Sequence, residues 1–559
     1  MRLLLRRLFS QPASAVQILL ASLFITLLGL VSTVYVILVF NRYLSHGIDG
    51  TLYTLMSGAM LAALGELGLR ALRQRMASTL SAKPERLLGE GLFKTLTQCR
   101  AQSYNRFPEN MRREAIQALD QVQSAFSSNA LLVAVDVPFA LLFVLAVFML
   151  HPLLGWVVLI ITVLALLMAL LGARSMQQAS QVQLHTQAQR VSLFTSAQMA
   201  DTVRAFNASA LLLQKWHGVS GGGRALRHHL LGKQAGISGW MRFFTLLMTV
   251  LTIGIGAKLA VIGEIDIGVL FGVNILATRA LTSITMQAQQ VSVQSQATQM
   301  LNLMQRFIQL PREAPEGAAL STLKGQIQFK DVAFSYPQEK SPLFESLTLT
   351  LEPGKLLVVS GANGSGKTTL ARLLVGLLEP VRGSVLIDGT DMRQLLSAWW
   401  RQQLIYLPQE PEFLHASIRE NLLTLNPGLD DQALLSLLEK VGLRKFMDES
   451  PQGLDRELIH GGRELSLGQR RRLALARALT TQGRVAILDE PLEGLDEASS
   501  NQIITLLNTL VQAGTTLILL THTPQKWRTH GVWLNLDAKP VPRIGSLQPS
   551  AQQEGALHD

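Results

Sequence analysis

The chain has 559 residues, 48% hydrophobic and only 16% charged, with a mean hydropathy of +0.27. That length exceeds one hydrophobic core, and an apolar excess lying almost wholly before residue 290 excludes an ordinary soluble enzyme. The net charge of +11 sits largely in segments flanking apolar runs, which argues for membrane topology and contact with anionic lipid rather than nucleic acid, and the single Cys99 excludes a disulfide framework or cysteine-rich zinc site.

Met1–Ser10 carries Arg2, Arg6 and Arg7 and precedes the uncharged run Ala15–Phe40. That run is too long for the apolar region of a signal peptide, so it reads as a retained first span. A helix crossing a bilayer needs about 20 apolar residues, because its backbone polar groups must be satisfied internally. Six runs come near this length: Ala15–Phe40, Leu52–Leu69, Ala130–Leu150, Leu153–Ala173, Phe243–Ile262 and Ile267–Ile284.

The loops after the first, third and fifth spans are short, among them His151-Pro152 and the acidic stretch Gly263–Asp266, and are assigned to the outside. Arg70–Asn129 and Arg174–Arg242 are long and basic, with Arg70, Arg73, Arg75, Arg112, Arg113, Arg204, Arg224 and Arg227. The positive-inside rule puts both in the cytoplasm, with the N-terminus and everything after span six. Their polar, Gln-rich, proline-poor texture predicts helices running on past the membrane, with Phe107–Met111 and Asp201–Phe206 as the turns that touch the following domain. Among charges within spans, Glu66 and Lys258 read as snorkelling ends and Asp136, two residues before Pro138, as structural; Arg279 and Asn274 are candidates for lining an aqueous path.

From Gln326 short β-rich runs alternate with amphipathic helices, the pattern of an α/β domain with a largely parallel sheet. The expected organisation is an all-α six-helix transmembrane domain over 1–310, a linker over 311–325, an α/β P-loop domain over 326–547 and a polar, disordered tail over 548–559.

The apolar strand Leu356–Val359 runs into Gly361-Ala362-Asn363-Gly364-Ser365-Gly366-Lys367-Thr368 and then the helical Thr369–Leu378, a P-loop in its required strand-to-helix context. Its backbone N–H groups, from Gly361 through Asn363, Gly364, Ser365 and Gly366 to Thr369, suit the phosphates of ATP; Lys367 suits the β and γ oxygens and the Thr368 hydroxyl suits Mg²⁺. A second apolar strand, Val485–Leu488, ends in Asp489 and Glu490, which suit Mg²⁺ and the attacking water respectively.

Between the two motifs, Leu465-Ser466-Leu467-Gly468-Gln469 followed by Arg470-Arg471-Arg472 resembles the signature of ABC ATPases. The resemblance extends to Tyr336 as the aromatic under adenine, Gln409 as the Q-loop residue reaching Mg²⁺ or the water, Gly494-Leu495-Asp496 as the D-loop, and His522 as the switch histidine facing the γ-phosphate. It implies that Ser466, Gly468 and Gln469 meet the ATP held by the P-loop of a second subunit, so the chain works as a pair. A homodimer is the simplest arrangement, with a heterodimer left open. Three positions depart from the family pattern: Leu467 replaces a glycine, Ile459-His460 replaces a Gly-Glu pair, and the D-loop begins Glu493-Gly494 rather than Ser-Ala.

The domain order resembles bacterial half-size ABC exporters. Asp136-Val137-Pro138-Phe139, His151–Gly155, Gly263–Ile265 and Ala277–Leu281 look like the inner-membrane permease/ATPase of type I protein secretion systems. That likeness implies export of an unfolded polypeptide with an uncleaved C-terminal signal, through a periplasmic adaptor and an outer-membrane tunnel protein. With about a dozen residues before span one, no leader-peptidase domain is expected. The alternative is a lipid, small-amphiphile or thiol exporter half. Six spans argue against a non-transporting ABC ATPase of translation or repair, and Glu490 against a hydrolysis-poor regulatory subunit.

Overall fold

The computed structural model describes every residue except 1–7, 10, 337–338, 340, 528–530 and 548–559, so Arg2, Arg6, Arg7 and the tail expected to be disordered lie outside the described residues. The chain divides into two units, one comprising Met1–Cys99 with Asn105–Leu310 and the other Arg100–Tyr104 with Pro311–Asp559.

The first unit is helical. Its elements are α1 (Pro12–Leu38), α2 (Asp49–Gln98), α3 (Ala101–Arg106, shared with the second unit), α4 (Glu109–Ala125), α5 (Ser128–Leu150), α6 (Pro152–Ala197), α7 (Ala200–Ala205), α8 (Ser209–Val261) and α9 (Ile267–Ile308). Six helices among the described residues are long and apolar enough to cross a membrane: Pro12–Tyr43, Asp49–Gln98, Ser128–Leu150, Pro152–Gly172, His228–Val261 and Ile267–Ile308. The helices of the second, fourth and sixth spans run on well past the ends of their apolar runs, as their polar continuations predict. The 50-residue α2 extends about 75 Å, more than twice the hydrocarbon thickness, because its polar continuation keeps helical propensity after its apolarity ends. Pro84 and Pro138 both lie inside helices.

Polar contacts gather the short loops at one end of this unit. The His151 ring lies 3.3 Å from the Glu264 carboxylate, and Asn41 donates to Asp266 at 2.9 Å while accepting from the Gly268 backbone at 3.0 Å. Within the bundle, α5, α6, α8 and α9 share a core that includes Val147, Leu154, Val158, Ala165, Met248, Val273, Ala277 and Ala280. Arg73, one of the basic residues by which Arg70–Asn129 is assigned to the cytoplasm, is buried: it donates to Asp136 at 2.5 and 3.3 Å and to Ser22 at 3.0 Å, joining α1, α2 and α5.

The expected touching turn Phe107–Met111 falls in the first unit, where the Phe107 ring packs edge-on against Phe307 at 5.4 Å; Asp201–Phe206 falls there too. The segment that belongs with the second unit is Arg100–Tyr104: the Arg100 backbone donates to Pro311 O at 3.0 Å and its guanidinium meets Glu379 at 3.0 Å. Hydropathy and turn residues point to the Phe107-Pro108 break, but no local pattern marks which side of it carries complementary charge.

In the second unit, β1 (Ile327–Phe334), β2 (Phe344–Leu351), β4 (Arg382–Ile387) and β5 (Thr390–Asp391) form an antiparallel sheet in the order β2-β1-β4-β5. The central sheet has the order β12-β11-β3-β10-β9-β6, built from β3 (Leu356–Ser360), β6 (Leu404–Leu407), β9 (Val485–Asp489), β10 (Thr516–Thr521), β11 (Gly531–Asn535) and β12 (Arg543–Leu547). All its pairings are parallel except β11 with β12. Strands β3, β9 and β10 are buried on both faces, which is why they read as unbroken apolar runs. A small ladder of β7 (Ala416–Ser417) with β8 (Glu457–Leu458) completes the strands. Residues 311–325 are pinned rather than loose: Glu313 pairs with Arg401 at 2.7 Å, and Asp388 accepts from the Lys324 and Gln326 backbones at 2.6 and 2.8 Å.

Candidate active site

Parallel pairing brings the site together. Because β3, β10, β9 and β6 are adjacent and run the same way, with Ser360 opposite Thr521, Asp489 opposite Leu520 and Leu407 opposite Leu488, their carboxyl ends open on one edge. The P-loop follows β3, His522 follows β10, Glu490 follows β9 and Gln409 follows β6, the crevice where open α/β sheets take ligands.

The loop from Gly361 to Gly366 turns sharply into α10 (Lys367–Leu374). Gly364 and Gly366 adopt φ of 82° and 111°, a region L-residues avoid. At Gly366 a side chain would also meet Leu343, with Cδ2 only 2.9 Å from the added carbon. Lys367 is buried and its amine folds back on the loop, donating to Gly361 O at 2.6 Å and Ala362 O at 3.3 Å, with Glu490 Oε1 3.9 Å away. Asp537 clamps the loop by accepting from the Ala362 N–H at 2.7 Å.

The Thr368 hydroxyl lies 2.7 Å from Asp489 Oδ2 and 3.0 Å from Gln409 Oε1, within reach of both acceptors for its single proton. The second Asp489 oxygen, Oδ1, is buried with no hydrogen-bond partner. Burial pushes the Asp489 carboxyl above its ordinary range, with the Thr368 hydroxyl partly opposing and the Glu490 charge adding to the rise. Burial, reinforced by Asp489, also pushes the neighbouring Tyr406 phenol up to about 12. A hydroxyl, a carboxylate with an unused oxygen and an amide carbonyl are hard oxygen donors, and they fit Mg²⁺.

Glu490 sits at φ 50° with its carboxylate buried, a strained backbone held in place because its own N–H reaches Leu520 O at 2.8 Å. Its carboxylate accepts from the His522 N–H at 2.9 Å, from His522 Nδ1 at 2.9 Å and from the Thr521 hydroxyl at 3.2 Å. A carboxylate acceptor fixes the proton on Nδ1, so His522 can also donate to a phosphate through Nε2 only as imidazolium. Tyr336 places its ring edge-on to Phe334 and its hydroxyl 2.9 Å from the Thr369 hydroxyl.

A cavity of about 740 Å³ is lined by Tyr336, Asn363, Gly364, Gly366, Lys367, Thr368, Thr369, Gln409 and His522, with Glu339, Leu343, Ala362 and Glu493. Gly361, Ser365, Asp489 and Glu490 support it from the loop and the strand ends. Ser466, Gly468, Gln469 and Asp496 do not line it. Ser466 instead caps α11 (Leu467–Leu479): its hydroxyl accepts from the Gln469 N–H at 3.2 Å while the Gln469 side chain accepts from the Ser466 N–H at 3.1 Å. Asp496 caps α12 (Glu497–Gln512).

Arg471 was not singled out by motif, yet it binds the site's parts together. Buried within α11, it donates to Gln409 O at 3.1 Å, to the Glu493 carboxylate at 2.5 Å and to the Glu493 carbonyl. Its only signal in the sequence is the Arg470-Arg471-Arg472 run, in which a solvated charge is the ordinary reading.

Residues 344–493 match the family model described as ABC transporter, and residues 16–284 match the ABC transporter transmembrane region. The chain is 25% identical over 525 residues to the toxin RTX-I translocation ATP-binding protein of Actinobacillus pleuropneumoniae, covering 91% of this chain and 72% of that protein. It is 25% identical over 514 residues to the leukotoxin translocation ATP-binding protein LktB of Mannheimia haemolytica, covering 90% and 71%. Among solved structures, a bacterial Atm1-family ABC exporter with ATP bound superposes with a TM-score of 0.80 over 94% of both chains at 19% identity, a likeness of fold. Two family matches in tandem, on a helical unit with six candidate spans and on an α/β unit with a P-loop, place the chain among the ABC exporters, with a transmembrane domain fused to an ATPase domain that couples ATP hydrolysis to transport.

Proposed function

We propose that this exporter moves unfolded polypeptide across a bacterial inner membrane as the ATPase component of a type I secretion system, its N-terminus and ATPase domain in the cytoplasm. The observation that carries this reading is the match over nine-tenths of the chain to relatives named for toxin translocation. The reading implies a periplasmic adaptor, an outer-membrane tunnel protein and a secreted polypeptide as partners.

Two copies form the working unit, and each ATP is shared between them. In one chain Tyr336 faces adenine, the loop from Gly361 to Gly366 with Lys367 and Thr369 cradles the phosphates, and Thr368, Gln409 and Asp489 hold Mg²⁺. Ser466, Gly468 and Gln469 are absent from that cavity and exposed or half-exposed at the end of α11, free to cap the γ-phosphate of the partner copy, with Asp496 beside them. Bound there, Mg²⁺ supplies charge neutralisation of the β and γ oxygens. Glu490 takes the proton of the attacking water; His522 and Thr521, already bonded to its carboxylate, orient it. Lys367 moves its amine from the Gly361 and Ala362 carbonyls to the phosphates.

The test uses the full chain in inside-out proteoliposomes with a fluorescent unfolded polypeptide carrying its own C-terminus. ATP-dependent uptake is expected, and Glu490→Gln should abolish it while retaining bound ATP. Uptake confined to lipids or small amphiphiles would replace this reading with the alternative one.

A further inference from the structure

The transmembrane unit contains two arginines whose surroundings differ in a telling way. Arg73 is buried and ion-paired: Nη1 donates to the Asp136 carboxylate and the Ser22 hydroxyl and Nη2 to Asp136, with the buried Nε left over. Arg279 is half-buried and has one hydrogen bond, from Nη2 to the Ser32 hydroxyl at 2.9 Å, and among the described residues no carboxylate pairs with it. It is the thirteenth residue of α9, about 18 Å along a helix that starts beside the short-loop end, so it lies near the middle of a hydrocarbon layer about 30 Å thick. An arginine at that depth is costly unless it faces a polar path or a counter-charge.

Its surroundings are shaped for it. Gly29 is buried directly beneath the guanidinium, and a side chain there would collide with Nη1. On the same face of α9, Thr282, nearly one turn on, is exposed and its hydroxyl bonds back to Thr278 O, leaving a polar but uncharged neighbour. Asn274 is held by Thr252 at 3.2 Å and does not reach Arg279 as a partner. The cation therefore keeps unused N–H donors on the accessible side of a mid-membrane polar stripe.

We infer that Arg279 is a cargo-contacting site that pairs with side-chain carboxylates of the passing polypeptide, giving the exporter a preference for acidic segments. This rests on the polypeptide-export reading. Planar guanidinium and carboxylate form paired, charge-assisted hydrogen bonds, and a site with a single neutral partner exchanges that partner for an anion without breaking an ion pair. Arg73, already ion-paired with Asp136, would have to break that pair to do the same.

The test measures ATPase stimulation of the full chain in lipid nanodiscs, relative to each variant's own basal rate, by two unstructured peptides that differ only in Glu versus Gln. The wild type should half-saturate at about tenfold lower concentration of the Glu peptide. Arg279→Gln should abolish that preference and Arg279→Lys should keep most of it; Gly29→Ala, which displaces the guanidinium without removing charge, should weaken it. Equal response of the wild type to both peptides, or a preference that survives Arg279→Gln, overturns the site. If neither peptide stimulates the wild type, the polypeptide reading fails, and dodecyl phosphate against dodecylphosphocholine then tests the same arginine. A phosphate preference lost in Arg279→Gln supports the anion site, and its absence or persistence overturns it.

Discussion

Asp489 shows how one residue's surroundings set its chemistry. Burial raises its carboxyl above the ordinary value of 3.8, so folding shifts this group toward its protonated form. Its contribution to stability is therefore present below that ordinary value and lost as pH rises through the folded one. Mg²⁺ competes with this proton. Magnesium-dependent thermal stabilisation of the full chain with bound ATP should grow as pH rises from about 4 to neutrality, and Asp489→Asn should flatten the pH dependence in a melting series. The P-loop and Asp489-Glu490 were legible from sequence because strand, glycine loop and helix are contiguous. The unused Oδ1 of Asp489 and the capture of Glu490 by Thr521 and His522 were not, since those partners lie 31 and 32 residues away.

At the scale of elements, two departures from the family pattern turn out to be neighbours. Gly494 adopts φ 76°, and a carbon added there would lie 3.1 Å from Leu467 Cδ2, so the bulky signature residue occupies the space a D-loop side chain would take. Gly494→Ala should cost about 1–2 kcal/mol of stability from its backbone alone and lower turnover further through the contact; Leu467→Gly should relieve only the second effect in a double-mutant cycle. In the membrane unit, Asp136 anchors α5 to the buried Arg73 of α2. Asp136→Asn should cost about 2 kcal/mol, read as a lower midpoint of heat inactivation in nanodiscs, and replacing both partners with apolar residues should be milder than removing the carboxylate alone. Hydropathy marked where these helices lie, but a charge pattern cannot say that Arg73 turns inward, because its partner comes from another helix.

For the whole molecule, the argument turns on what a single chain lacks. The cavity holds the P-loop, Gln409 and His522 but not Ser466. In mixed pairs, one chain carrying Lys367→Ala and the other Ser466→Ala should keep one intact shared site and about half of the wild-type turnover, whereas both changes in one chain paired with wild type should destroy both sites. Equal activity of the two arrangements, measured on doubly tagged purified pairs, would dispose of the shared-site mechanism.

The sequence by itself determined the six apolar spans, the order of the two domains and the nucleotide motifs, because periodicity, hydropathy and loop glycines are local properties. Only the tertiary structure decided which polar groups meet: the parallel register that aligns four strand ends, the grouping of Arg100–Tyr104 with the second unit, and the contrast between an Arg73 ion-paired with Asp136 and an Arg279 bonded to a serine hydroxyl. Charge and hydrogen bonding act through space, between residues tens or hundreds of positions apart, and the pairing that closes those distances is written in no single segment.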